Sequence, residues 1–119
     1  RHPFELPAQV GLATIDVSFI SLIKIIPSVI EHLKPREHLI ALIKPQFEAG
    51  PEHVGKGGVV RDPAIHALTI GRVCLWSIQY GLRIRGVVPS PIEGATGNRE
   101  FFVLLQKGGA SNQGLTSVP

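Results

Sequence analysis

Methionine is absent from all 119 residues, so Arg1 is not a translation start and the chain is read as a piece of a longer one. Cysteine is almost absent too. With Cys74 alone, no internal disulfide can form, and a lone cysteine in an apolar helical segment suits a reducing, cytoplasmic setting. No apolar run approaches the ~20 residues that cross a bilayer, and Arg1-His2-Pro3-Phe4 lacks a signal-peptide plan, so no membrane partner is expected. The five histidines show no i, i+4 pairing and have no cysteine support, which leaves no metal site and reads them as scattered surface residues. There is no G-x-S-x-G elbow to supply a serine nucleophile. Present instead are 44% apolar residues, enough for one domain's core, and a net charge of +3 that leans weakly toward anionic partners.

Along the chain, residues 1–10 read as an irregular lead-in. Leu12 to Phe19 is β-prone up to Asp16, a residue depleted from strand interiors. Ile25, Ile26, Val29, Ile30 and Leu33 recur at helical spacing over 22–33, with Ser18 or Ser21 as cap, Pro27 as a kink or first turn, and Pro35 as terminator. Residues 38–44 follow as a strand, its run Leu39-Ile40-Ala41-Leu42-Ile43 apolar enough to be covered on both faces. A glycine-rich connection, 45–62, is too long for an ordinary loop. Asp62-Pro63 then opens a helix over 64–80 that Gly81 closes. Two β-prone segments, 82–88 and 99–107, have no room for a crossover between them and should pair antiparallel. The order strand, helix, strand, helix, strand, strand describes an α/β chain that is part of a three-layer open sheet. The tail 108–119 reads as disordered.

Gly50-Pro51-Glu52-His53-Val54-Gly55-Lys56 fits the core of a phosphate-binding loop, but the motif needs a Ser or Thr next and a helix opening at once, and Gly57 offers neither. The segment reads instead as a flexible basic flap able to touch phosphate. More informative are the strand ends. Asp16 closes the first strand, Lys44 the second, and Glu100 opens the last, whose reversed direction brings its start to the edge where the others finish. Ligands of open α/β sheets bind at that edge. Each residue also has a plainer reading: Asp16 as a helix cap, Lys44 as a stem lying on apolar surface, Glu100 as a surface ion-pair partner.

The runs Thr14-Ile15-Asp16-Val17-Ser18-Phe19-Ile20-Ser21, Lys44-Pro45-Gln46-Phe47-Glu48, Val54 to Asp62, and Gly97-Asn98-Arg99-Glu100-Phe101 together resemble the hemolysin-A-type ribosomal RNA methyltransferases, relatives of the FtsJ-like 2′-O-methyltransferases. The likeness covers residues from about 12 to 107. It implies a Rossmann-like, S-adenosylmethionine-dependent fold, with residues 1–107 as the second half of the catalytic domain. It also implies a Lys-Asp-Lys-Glu catalytic set of which Asp16, Lys44 and Glu100 are the last three members. The first lysine and the glycine-rich cofactor loop have no counterpart here, so this stretch alone is expected to be inactive and to bind the cofactor poorly.

On that resemblance Lys44 is the general base for a ribose 2′-hydroxyl of ribosomal RNA, and Glu100 holds Lys44 or the ribose. Asp16 orients the lysines and, with Val17 and Ser18, lies at the cofactor. Lys56, Arg61 and Arg99 become candidate phosphate contacts, each equally readable as solvated charge. The alternative is a non-catalytic RNA-binding or assembly module that dimerises through an exposed sheet edge. A membrane-damaging activity finds no amphipathic or spanning segment to carry it.

Overall fold

Strand β2 (Leu33–Ile43) is the spine of the molecule: β1 (Val10–Ile15) lies parallel on one side and β4 (Phe101–Gln106) antiparallel on the other. In the computed structural model, which describes residues 10–94 and 97–109, β3 (Arg83–Pro89) completes the sheet in the order β1-β2-β4-β3. The last two strands pair antiparallel as expected, and β4 inserts between β2 and β3. The expectations for residues 1–9, for the turn at 95–96 and for the tail from 110 lie outside the described residues. Gly108, the first residue of the expected tail, is buried and its carbonyl accepts from the Arg36 amide at 3.2 Å.

Helix α1 (Leu22–Ile30) begins at Ser21, whose hydroxyl accepts from the Ile23 amide, and buries Leu22, Ile26, Val29 and Ile30. It is shorter than its periodicity suggests. Leu33 belongs to β2, and Pro35 does not stop the helix but sits within that strand. The register shift opposite Val10–Leu12 explains why: residues 34–37 bulge out of the ladder, and Arg36 there takes a φ of 69°. A bulge tolerates a residue with no amide to donate. Pro27 lies inside α1.

The 45–62 connection is ordered rather than structureless. It holds a one-turn helix α2 (Pro45–Glu48) and two 3₁₀ turns, at Pro51–His53 and Lys56–Gly58. Helix α3 (Pro63–Gln79) starts where Asp62 caps the Ala64 amide at 2.9 Å and ends before Gly81, whose φ of 98° favours glycine.

Both α1 and α3 pack on the same side of the sheet and touch each other. The inward row Leu39, Ala41, Ile43, Val103 and Leu105 is wholly buried against them. The outward row Ile40, Leu42, Phe102 and Leu104 is only half-buried. Among the described residues, then, helices cover one face of the β2 run, giving two layers of the three-layer sheet of which this chain is expected to be a part. Strand alternation decides which residues are left: an apolar groove of about 410 Å³ lined by Ile40, Gly86, Val88, Phe102 and Leu104.

Candidate active site at the strand ends

Pairing of Ile43 with Phe101, and of Ile15 with Ala41, puts Asp16, Lys44 and Glu100 at one edge of the sheet. The Lys44 ammonium lies 2.5 Å from Asp16 Oδ1 and donates to Ser18 Oγ at 3.3 Å. Its side chain is 13% exposed, whereas that of Asp16 is 68% exposed. A largely sheltered cation thus faces a carboxylate that water, or a ligand, can still reach.

Glu100 is buried, and its carboxylate is gripped not by Lys44 but by Gln46, whose Nε2 donates to Oε2 at 2.9 Å. A carboxylate only accepts, so this bond fixes the Gln46 amide with its nitrogen toward Glu100. The other end of that amide, Oε1, is buried without a hydrogen-bond partner. Gly94 packs so closely on Glu100 that a Cβ there would overlap the carboxylate.

Beside this group is an open, mostly apolar cleft of about 270 Å³ lined by Phe19, Gln46, Phe47, Val54, Gly57, Gly58 and Asn98. Phe19 is 88% exposed and holds a φ of 67°, a left-handed conformation uncommon outside glycine. Its ring lies 4.8 Å from that of Phe47. Phe19 is thus an exposed ring tilted by 49° against the half-buried Phe47 at the cleft. The expected flap is pinned at its base: Asn98 accepts from the Val60 amide and donates to the Gly58 carbonyl, each at 2.9 Å. Next to it His66, expected on the surface, is half-buried and contacts the Val60 carbonyl at 2.6 Å, which makes Nε2 the donor.

Lys56, Arg61 and Arg99 are all exposed, and each is a chain neighbour of a residue in this loop or cleft. The structure therefore brings Asp16, Ser18 and Lys44 into contact, sets Glu100 nearby on Gln46, and shows no hydrogen bond or ion pair between these and the three exposed cations. Gln46, Phe19, Asn98 and Glu48 were not singled out by sequence reasoning, although all four lie inside the quoted motif runs. Gln46 and Glu48 are polar or charged residues among the apolar Pro45, Phe47 and Ala49, which was the available signal for those two. Among the described residues no group of His, Cys, Asp or Glu could hold a metal, and no helix is long and apolar enough to cross a membrane.

The model of the FtsJ-like methyltransferases matches residues 2–107. The chain belongs to that family. This FtsJ-like chain is 48% identical over 102 residues to the Bacillus subtilis protein named "Putative rRNA methyltransferase YqxC", covering 86% of itself and 36% of that protein. It is 36% identical over 104 residues to the Mycobacterium tuberculosis 16S/23S rRNA (cytidine-2′-O)-methyltransferase TlyA, covering 87% of itself and 39% of TlyA. A Lactococcus lactis crystal structure titled as a putative hemolysin superposes with a TM-score of 0.83 at 46% identity, over 88% of this chain and 50% of that one. The FtsJ-like chain thus spans well under half the length of these curated relatives.

Proposed function

We propose that this FtsJ-like chain carries the catalytic edge of an S-adenosylmethionine-dependent enzyme that methylates a ribose 2′-hydroxyl of ribosomal RNA in the cytoplasm. The observation that carries the reading is the Lys44 ammonium, sheltered at a strand end and held by Asp16 and Ser18. A ribose hydroxyl is a weak nucleophile until its proton is taken. For Lys44 to act as base its ammonium first gives a proton to water; the neutral Nζ then accepts the ribose proton, and Asp16 fixes where Nζ points. Glu100, steadied by Gln46, orients the ribose beside it.

S-adenosylmethionine, when bound, supplies a methyl group already activated on a sulfonium. The residues present suit one flank of such a cation: the exposed carboxylate of Asp16 offers negative charge, with Val17 and the Ser18 hydroxyl beside it. The Phe19–Phe47 rings would receive the base of the target nucleotide, and Lys56, Arg61 and Arg99 its neighbouring phosphates. In the catalytically competent protein, Lys44→Ala should abolish transfer of labelled methyl to RNA with cofactor affinity largely kept.

A second reading is favoured by one observation, the apolar groove along Ile40, Val88, Phe102 and Leu104 that is open among the described residues. There the chain acts as an assembly module that binds RNA without catalysis and pairs with a second copy. Solution mass measured together with a cofactor titration separates the two.

A further inference from the structure

Glu48 is a buried carboxylate that the proposed chemistry does not use. Its oxygens accept from the Ser21 hydroxyl at 2.7 Å and the Leu22 amide at 2.8 Å, the cap and the first residue of α1. That helix has no acidic residue in its own first turn, so Glu48 supplies from another element the negative charge its N-terminus favours. At its other end Glu48 is anchored to the candidate base itself: its amide donates to the Lys44 carbonyl at 3.1 Å. Arg72 Nη1 donates to the Glu48 carbonyl at 3.0 Å and ties the turn to α3.

Segments 16–21 and 44–48 therefore meet in series. Asp16 and Ser18 touch Lys44, Phe19 lies on Phe47, and Ser21 and Leu22 are bound by Glu48. The Asp16 end of this series is open to water, and the Glu48 end is closed. An exposed ion pair holds little geometry by itself. We propose that Glu48 is a positioning residue: it locks the β1–α1 loop onto the α2 turn and so sets Asp16 and Ser18 against the Lys44 ammonium. The proposal rests on reading Lys44 and Asp16 as catalytic, but its first test does not.

That test is competitive acylation of lysines on the folded chain with limiting acetic anhydride, read by peptide mass spectrometry as the ratio of Lys44 to the exposed Lys34. Releasing the loop uncovers Lys44, so Glu48→Ala should raise the ratio about threefold or more at temperatures well below unfolding. Glu48→Gln, which keeps one acceptor oxygen, should fall between. Ser21→Ala should move the ratio the same way by less, and adding it to Glu48→Ala should change little further. An unchanged ratio in folded Glu48→Ala overturns the proposal. If that variant does not fold, an unchanged ratio in both Glu48→Gln and Ser21→Ala does so.

In the competent enzyme, Glu48→Ala should lower kcat about tenfold with KM for RNA nearly unchanged, and Glu48→Gln should recover part of the loss. An unchanged kcat contradicts the positioning role. Absence of transfer by the unsubstituted protein would sink the methyltransferase reading alone, because the acylation ratio still decides whether Glu48 holds the pair.

Discussion

Glu48 shows how one residue can be costly and useful together. Burial pushes its carboxyl above the ordinary value of 4.5, against the lowering influence of the Leu22 amide, the Ser21 hydroxyl and the Arg72 guanidinium. A carboxyl raised in the folded state binds its proton more tightly there than in the unfolded chain. Stability is therefore greater at pH below 4.5, and is lost as pH rises from 4.5 through the raised folded value. Urea midpoints across that window should show Glu48 contributing such a decline, and Glu48→Gln should flatten it. The same slope in both proteins would mean the carboxyl is not shifted. Cys74 is the simpler case: burial alone pushes its thiol up, as suits the packing residue that its surroundings in α3 suggest.

At the scale of elements, the site exists because three strand ends fall at one edge, and this much was legible from the sequence. Asp16 breaking a β-prone run, a lysine-proline step after five apolar residues, and a last strand reversed by a short connection suffice to bring Asp16, Lys44 and Glu100 to one place. What held them there was not legible. The partner Gln46 of the Glu100 carboxylate was not readable, because a register of paired strands says which backbones meet and not which rotamers do. The bulge at residues 34–37 was hidden for a related reason: proline normally ends a pattern, and only the partner strand reveals that it has been bypassed.

The packing of Gly94 on Glu100 gives the turn before β4 its own test. Gly94→Ala places a Cβ on the tip of a flexible side chain, so the fold should survive with melting nearly unchanged while Glu100 leaves Gln46. Methyl transfer by the competent enzyme should fall about tenfold or more, as expected when a positioned group at the reacting centre moves by an ångström. Full activity in that variant would show that the seat of Glu100 is immaterial.

For the whole molecule, the described residues form a sheet with helices on one side and apolar side chains on the other. Alternation along β2 and β4 was readable, but the run Leu39 to Ile43 carried no mark of which row α1 and α3 would leave bare, since both rows are apolar. An uncovered groove of Ile40, Gly86, Val88, Phe102 and Leu104 is the kind of surface that associates. The chain by itself should gain mass with concentration in sedimentation, and Val88→Lys, at a position already 56% exposed, should weaken that association without unfolding the sheet. A strictly monomeric chain at all concentrations would remove the assembly reading.

The central claim is that the strand-end lysine is the base of a methyl transfer, and labelled methyl from S-adenosylmethionine counted in ribosomal RNA tests it most directly. With cofactor binding verified in parallel by calorimetry, Lys44→Ala in the competent protein should give no transfer above background. Retained turnover in that variant, with the cofactor bound as before, would contradict the account.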